Sequence, residues 1–460
     1  MSLMVSISGI RGIVGESLTP NIISRYTTGF AAYVRRYDAE APLVVVGRDG
    51  RITGKPVADI ITATLAMSGV RVCDIGICPT PTVQLAVEGL HASGGISVTA
   101  SHNPMQWNGM KCMAPSGMFL DAAENAEFWA LAASPARYAG WQEFGTVLAD
   151  SSWIRKHIDA ILALHYIDVA KIRKRRFRVV LDCVNAAGGA IMPTLLRELG
   201  CDVIEMFCEV SGVFRHTPEP IPENLTELAK RVRDEHADLG VAVDPDVDRL
   251  VLINELGEPY GEEYTIATAI DFALRHRTPA PQVPTVVVNL STTRAVDDIA
   301  RKHGARLLRT PVGEINVARA MKSVGALIGG EGSGGVILPA VHLGRDAMVG
   351  TGLIFQALAE AGTTLSQLKS TLPQYAIAKG KITIKSGTAD RVLAILQERH
   401  TAGGRINTDD GVRIDFDDYW VHFRKSNTEP IVRIIAEAHD MDQARRIVEQ
   451  FTAEVAALEH

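Results

Sequence analysis

The strongest constraint on the fold is a repeated pattern of strand, polar turn, helix and second strand. The pattern occurs at residues 42–76, 177–207 and 285–313, and each helical run ends at a glycine. Two strands joined by a helix of this kind are typical of α/β domains. We therefore predict three related α/β units with parallel or mixed sheets.

The chain after the third unit has a different pattern. Residues 411–426 alternate between apolar and polar side chains, as antiparallel strands do, and the run from residue 441 onward has helical spacing. The predicted fold class is α/β with four domains. Three are similar mixed α/β domains at residues 1–150, 151–255 and 256–370, and the fourth is a smaller α+β domain at residues 371–460.

Composition narrows the classes of partner. Hydrophobic residues make up 47% of the 460 positions and the formal net charge is -6, so neither nucleic acid nor an anionic membrane is expected as a partner. The six cysteines form no C-x-x-C pair, and no apolar run approaches the length of a membrane span. Because the N-terminus also lacks a signal-peptide pattern, we expect a cytoplasmic protein.

The first motif that suggests chemistry is TASHNP at residues 99–104, directly after the apolar run GGISV. The Asn-Pro pair and the later Asn108-Gly109 pair predict two turns, which would hold Ser101 at a strand end facing a cleft. His102 is not expected to deprotonate Ser101, because neighbouring side chains of an extended segment point to opposite sides. A polar turn without chemistry is the alternative.

The second motif, DPDVDR, places Asp244, Asp246 and Asp248 within five residues, between two apolar runs. Three carboxylates on one tight loop repel each other unless a cation lies among them. An EF-hand begins in the same way, with Glu255 at its twelfth position, but Arg249 replaces the required glycine and the flanking runs are strand-like. A hard-cation site is favoured over a solvated acidic loop, and Arg249 is expected to face phosphate.

The third motif is GGEGSGG at residues 329–335. It contains the G-x-G-x-x-G spacing of a dinucleotide site, but a strand-like run follows where a helix should begin. A nicotinamide-dependent oxidoreductase is therefore disfavoured. The loop is expected to present Glu331 and Ser333 to a polyhydroxyl ligand, and a plain glycine-rich turn is the alternative.

The fourth motif follows a strand near the C-terminus and supplies Arg424, Ser426, Asn427 and Thr428. An arginine, two hydroxyls, an amide and turn N–H groups suit an anion such as phosphate. A polar turn at a sheet edge is the alternative. A cation site, a serine, a sugar loop and a phosphate cradle together indicate phosphoryl transfer on a phosphorylated sugar.

In this order the motifs resemble those of the α-D-phosphohexomutases. The resemblance runs from SGIRG at residues 8–12 to RKSNTEP at residues 424–430. It implies four domains around a central cleft and an isomerase that interconverts hexose 1-phosphate and hexose 6-phosphate. The implied partner is a small-molecule phosphosugar, either glucosamine phosphate or mannose or glucose phosphate, and the oligomeric state is left open.

The resemblance also implies roles for single residues. Ser101 would be carried as a phosphoserine, and its phosphate would share Mg²⁺ with the three aspartates. Lys111 would be the general acid/base, with a pKa lowered by nearby cations, while Arg11 and Arg249 would neutralise the transferring oxygens. A hexose 1,6-bisphosphate would be the intermediate and the activator.

One position departs from the family pattern. Many members have a histidine at the end of the sugar loop, where this chain has Gly335. His342 is predicted to compensate as the acid/base, with Arg345 and Asp346 tuning its ring. The alternative is a catalytically impaired protein that binds sugar phosphates as a regulator.

Overall fold

A computed structural model of the chain describes residues 3–385, 387–401, 403–425 and 430–458. These residues form four β-sheets, each built from one continuous part of the chain. The strands are β1 (Met4–Ser6), β2 (Gly9–Ile13), β3 (Leu43–Arg48), β4 (Arg71–Ile77), β5 (Gly94–Val98), β6 (Trp107–Met113), β7 (Val147–Ala149), β8 (Arg178–Asp182), β9 (Asp202–Met206), β10 (Leu239–Val243), β11 (Leu250–Ile253), β12 (Thr285–Asn289), β13 (Arg306–Thr310), β14 (Ile328–Glu331), β15 (Gly335–Ile337), β16 (Ala376–Thr383), β17 (Arg405–Asn407), β18 (Val412–Asp415), β19 (Trp420–Lys425) and β20 (Ile431–Ala438).

Helices cover the faces of the sheets. They are α1 (Pro20–Val34), α2 (Gly54–Met67), α3 (Thr80–Gly89), α4 (Ala122–Ala133), α5 (Trp153–Leu162), α6 (Val169–Arg175), α7 (Met192–Glu198), α8 (Thr226–Asp234), α9 (Glu262–Arg275), α10 (Ala295–Lys302), α11 (Glu314–Val324), α12 (Ala347–Ala361), α13 (Leu365–Ser370), α14 (Ala389–His400) and α15 (Met441–Leu458). Local signals fix several starts: a proline opens α1 and α3, and Asp121 with Glu124 forms a capping box at α4.

The first three sheets share one topology. Their orders are β1-β2-β6-β5-β3-β4-β7, β11-β10-β8-β9 and β13-β12-β14-β15. In each, two parallel strands are joined by a crossover helix, a third parallel strand lies beside the first, and a fourth strand returns antiparallel. The repeat predicted from the sequence is confirmed, and it includes a third and a fourth strand that the pattern did not delimit.

Apolar runs explain the central strands. β10 and β12 are buried along their whole length, as expected when helices cover both faces of a sheet. The largest cluster of buried apolar side chains extends from Ile158 to Leu372, so the second and third sheets share one core. The fourth sheet has a core of its own.

The fourth sheet is antiparallel, with the order β16-β20-β19-β18-β17, and α14 and α15 pack on it. The predicted α+β domain is confirmed. Its contacts with the third unit include many polar ones: Arg294 Nη1 donates to the carbonyl oxygen of Asp417 at 2.8 Å, and Ser291 Oγ lies 3.0 Å from His422 Nδ1. The boundaries near residues 150, 255 and 370 stay a prediction.

One predicted turn is wrong. Asn108 and Gly109 lie inside β6, because tertiary contacts override the local turn preference. Asn108 Nδ2 donates to Thr53 Oγ1 at 3.0 Å, and a Cβ at Gly109 would lie 2.4 Å from the carbonyl oxygen of Ile10.

Across the described residues, no helix combines the length and apolarity needed to cross a bilayer.

Candidate active site

The three loops that carry the first three motifs occupy the same topological position. Each connects the third parallel strand of its sheet to the antiparallel fourth strand, at residues 99–106, 244–249 and 332–334. The carboxyl ends of parallel strands are where α/β sheets bind ligands. Side-chain contacts between them join these loops into one site.

A buried arginine holds the backbone of the serine loop. The guanidinium of Arg51 donates to the carbonyl oxygens of Ser101 (2.6 Å), Asn103 (2.7 Å) and Pro104 (2.7 Å). Asp49 pairs with its Nε at 3.1 Å. This scaffold supports the left-handed backbone conformation of Ser101, which has a φ of 49°. Residues other than glycine seldom adopt this conformation.

The serine hydroxyl has two close neighbours. Ser101 Oγ lies 3.3 Å from Asp244 Oδ2 and 3.3 Å from His102 Nδ1. The expectation that His102 points away is wrong, because the left-handed conformation at Ser101 means that the segment is not extended. Burial, together with the charges of Arg249 and Arg11, lowers the pKa of His102 to about 3. The neutral ring can share a hydrogen bond with the hydroxyl.

The acidic loop has the donor set of a cation site. Asp244, Asp246 and Asp248 are buried, and one oxygen of each lies within 4.8 Å of the others. The Oδ1 atoms of Asp246 and Asp248 have no hydrogen-bond partner among the described residues. Burial and mutual repulsion raise the pKa of Asp244. Because unpartnered buried carboxylate oxygens are costly and hard divalent cations prefer oxygen ligands, these residues fit such an ion.

Lys111 faces the same carboxylates from β6. Its Nζ lies 2.6 Å from Asp246 Oδ2 and 3.4 Å from Asp248 Oδ2. Burial alone would lower the pKa of Lys111, but the two aspartates outweigh it and the net shift is upward. The downward shift of the Lys111 pKa that was expected from neighbouring cations is therefore absent while Asp246 and Asp248 face it. Lys111 is a cation here.

Two further arginines lie beside the acidic loop. Arg11 Nη1 donates to Asn103 Oδ1 at 3.1 Å, and Arg249 Nε lies 3.8 Å from Asp248 Oδ1. The Nε atoms of both arginines are buried and have no hydrogen-bond partner among the described residues. Such donors suit an anion bound between the serine and acidic loops.

Glu331, the last residue of β14, is held firmly. Its Oε1 accepts from Asn289 Nδ2 (2.8 Å) and from the backbone N–H of Gly313 (2.9 Å), and its Oε2 accepts from Arg345 Nη1 (2.8 Å). These contacts fix the carboxylate and leave about one of its roughly four acceptor positions for a ligand. Ser333 is half-buried.

Arg345, expected to tune the ring of His342, lies instead with its guanidinium among three carboxylates. It pairs with Asp248 of the acidic loop, with Glu331 of the sugar loop and with Glu314 at the start of α11. Its guanidinium thus joins the second and third loops, as Lys111 joins β6 of the first sheet to the second loop.

His342 has contacts that do not match its predicted role. It is buried, and its Nε2 donates to Asp346 Oδ2 at 3.0 Å, while His157 Nε2 donates to the same oxygen at 2.8 Å. Asp346 Oδ1 in turn accepts from the backbone N–H groups that open α12. These contacts argue against proton transfer by His342 and indicate that it anchors Asp346.

The phosphate cradle is described only in part. Arg424 lies at the end of β19, with its Nε 2.9 Å from Asp410 Oδ2. The predicted cradle residues Ser426, Asn427 and Thr428 lie outside the described residues.

Comparison with known proteins covers nearly the whole chain. Four family models match in order: phosphoglucomutase/phosphomannomutase alpha/beta/alpha domain I at residues 4–138, domain II at residues 155–257, domain III at residues 261–375 and the C-terminal domain at residues 381–454.

Individual proteins agree with this match. A phosphoglucomutase/phosphomannomutase of Thermococcus kodakarensis is 39% identical over 443 residues, 96% of each chain, and a probable phosphoglucosamine mutase of Methanopyrus kandleri is 34% identical over 448 residues, again 96% of each. A solved phosphoglucomutase/phosphomannomutase family protein of Burkholderia thailandensis has the same fold, with a TM-score of 0.85, 24% identity and coverage of 99% of this chain and 98% of that one. The chain therefore belongs to the phosphoglucomutase/phosphomannomutase family, which confirms the predicted family and the predicted class of enzyme, a phosphohexomutase.

Proposed function

We propose that the protein interconverts hexose 1-phosphate and hexose 6-phosphate, with phosphorylated Ser101 as the phosphoryl donor. The observation that carries this proposal is the convergence of Ser101 Oγ on Asp244, at 3.3 Å, within a cluster of three buried carboxylates. A hydroxyl at a strained position beside a cation site suits a group that carries phosphate in and out.

The cation of this site is proposed to be Mg²⁺. The Oδ1 atoms of Asp246 and Asp248 and the carboxylate of Asp244 would hold it, together with an oxygen of the Ser101 phosphate. Hard oxygen donors suit Mg²⁺, which commonly binds through carboxylates and phosphate. When bound, the ion would neutralise charge on the transferring phosphoryl group.

In the transfer step the bond between Ser101 Oγ and phosphorus breaks, and a sugar hydroxyl oxygen forms the new bond to phosphorus. The sugar hydroxyl must lose its proton and the freed Ser101 oxygen must gain one, and Lys111 is the proposed acid/base for these transfers. Its pairing with Asp246 and Asp248 keeps it protonated in the present arrangement, so it is suited to act as the acid. Charge compensation of those aspartates by a cation would favour its neutral, basic form.

The sugar phosphate is proposed to lie between the sugar loop and the cradle. Glu331 and Ser333 would bind hydroxyls, and Arg424, Ser426, Asn427 and Thr428 would bind the phosphate that does not react. The hexose 1,6-bisphosphate formed in the first transfer would turn around before the second, and added bisphosphate would activate enzyme that has lost its serine phosphate. Glucosamine phosphate, mannose phosphate and glucose phosphate are the proposed substrates.

The alternative is a catalytically impaired regulator, because Gly335 stands where many family members have a histidine. Arg345 lies against that glycine, and the serine, lysine and aspartates share one buried cluster, so the described part of the site does not favour this alternative. The test is an assay of glucose, mannose and glucosamine 1-phosphates with Mg²⁺ and a catalytic amount of hexose 1,6-bisphosphate. We expect a 6-phosphate product from at least one sugar, and no product from any of them would refute the proposal.

A further inference from the structure

Gly335 lies directly beneath the side chain of Arg345. A Cβ on Gly335 would lie 2.3 Å from Arg345 Cδ and 2.9 Å from its Cγ. The backbone of Gly335 does not have a positive φ, so its conformation is open to any residue. Glycine is therefore required here by the space that the arginine occupies.

The guanidinium of Arg345 uses all three nitrogens on carboxylates. Nε lies 3.1 Å from Glu314 Oε2, Nη1 lies 2.8 Å from Glu331 Oε2, and Nη2 pairs with Asp248 Oδ2. A planar guanidinium presents donors at fixed angles, so three simultaneous pairs fix the relative positions of the three acids.

The backbone next to Arg345 is itself anchored. Asp346 N donates to the carbonyl oxygen of Val336 at 2.8 Å, and its side chain is held by His157 and His342. The arginine thus projects from a fixed point, and little movement of its guanidinium is possible without breaking buried hydrogen bonds.

Asp248 is the acid whose orientation matters most. Its Oδ2 is taken by Arg345 and Lys111, while its Oδ1 has no hydrogen-bond partner among the described residues and is available to a cation. Partners that orient a metal-binding carboxylate typically change metal affinity about 10- to 100-fold when they are removed.

We propose that Arg345 is a positioning residue that fixes Asp248 for the metal and Glu331 for the sugar as one unit, and that Gly335 is its matched partner. The inference rests on the proposed metal and sugar sites. On this proposal, Gly335 makes room for Arg345, and no other residue has to replace the missing histidine as a proton carrier. Arg345 itself stays protonated and cannot serve as an acid/base at neutral pH. His342 contributes by anchoring Asp346, the residue next to Arg345.

The test measures binding of Mn²⁺ alone, by electron paramagnetic resonance, in four variants: Arg345→Lys, Arg345→Met, Gly335→Ala and the double variant Gly335→Ala/Arg345→Met. We expect each single variant to weaken Mn²⁺ binding about 10- to 100-fold. The added Cβ acts by displacing the arginine, so the double variant should bind no worse than Arg345→Met.

The matched control is Arg413→Lys. Arg413 is also buried and pairs with Asp415 in the fourth domain, so this change should lower thermal stability without altering Mn²⁺ affinity. Should Arg345→Met fail to fold, Arg345→Lys and Gly335→Ala carry the test.

Wild-type Mn²⁺ affinity in a folded Arg345→Met or Arg345→Lys protein would overturn the inference, and so would additive losses in the double variant. Kinetics give a second readout: the single variants should raise the Mg²⁺ concentration needed for half-maximal rate and raise KM for the sugar phosphate together. Because Mn²⁺ binding is measured without sugar, a wild type that binds Mn²⁺ but converts no hexose phosphate refutes the proposed function and leaves this inference intact.

Discussion

Ser101 Oγ lies 3.3 Å from Asp244 Oδ2, although the two residues are 143 positions apart in the chain. The contact joins the first sheet to the second and places a nucleophilic oxygen against the acidic cluster.

We expect freshly purified protein to carry one phosphoryl group on Ser101, at least in part, which peptide mass spectrometry detects. Ser101→Ala should lower kcat by about 10³-fold or more, because the group that carries phosphate is gone. Full activity of that variant would exclude the serine as carrier.

Removal of one acidic ligand should affect metal and rate together. Asp246→Asn removes charge from a cluster in which Asp246 Oδ1 is unpartnered. We expect weaker Mg²⁺ binding by calorimetry and a loss of kcat of about 10²-fold or more, on the scale of electrostatic stabilisation of a transition state. Exhaustive chelation should abolish turnover of the wild type, and an unchanged rate after chelation would contradict the metal assignment.

Arg51 should be essential for the serine loop although it lies outside all the motifs. Its buried guanidinium holds three carbonyl oxygens of the serine loop and Asp49. Arg51→Lys keeps the charge but loses most of these bonds, so we expect a loss of about 3–5 kcal/mol in the free energy of unfolding. Arg36→Lys, at an exposed pair with Glu127, is the control and should cost no more than about 1 kcal/mol. Equal effects in denaturant titrations would contradict the scaffold role.

How much of this site is visible in the sequence depends on how local each feature is. The serine, the three aspartates and Lys111 stand in short motifs, so their side chains could be named in advance. Arg51 could not, and Arg345 could be named only as a neighbour of His342, because their partners are loop carbonyls and acids from other parts of the chain. For Arg51 the polar run RDGR after a Val-rich strand was the available signal, and for Arg345 it was the missing side chain at Gly335.

The fold shows the same division. The strand–helix–strand units followed from hydrophobic periodicity, and the sheets confirmed them. The Asn108-Gly109 turn failed because a strand partner decides whether such a pair turns, and that partner, β2, lies far away in the chain. His342 was singled out for its chemistry alone, whereas its contact in the structure is with Asp346, which His157 also bonds.

Acid should loosen the contact between the third and fourth domains. His422 is buried, and its Nε2 lies 2.6 Å from the carbonyl oxygen of Asp410. Burial lowers its pKa to about 4, whereas an unfolded histidine titrates near about 6.5. A depressed pKa means that the folded state resists protonation, so this stability is present above pH 6.5 and is lost as the pH falls from about 6.5 to about 4.

The measurement is the melting temperature as a function of pH, by calorimetry. One such group contributes at most about 1.4 kcal/mol per pH unit. His422→Gln, which cannot titrate, should show a flatter profile between pH 6.5 and pH 4, and identical profiles for the two proteins would contradict the assignment.

The fourth domain is expected to rotate when sugar phosphate binds, because its cradle must reach a ligand held by the other three. Tyr264 OH accepts from the backbone N–H of Tyr375 at 2.8 Å and donates to the carbonyl oxygen of Pro373 at 3.1 Å. These bonds tie the segment just before β16 to α9, so we place the pivot between Tyr375 and Ala376. Small-angle scattering with saturating sugar phosphate should show a smaller radius of gyration, and superimposable curves would argue against closure.

The most direct test of the account follows the phosphoryl group itself. Protein labelled with ³²P at Ser101 is mixed with unlabelled hexose 1-phosphate and Mg²⁺, and the label on protein and sugar is counted within a single turnover. We expect the label to leave Ser101 and to appear in hexose bisphosphate and then in hexose monophosphate. Label that stays on the serine while 6-phosphate accumulates would contradict it.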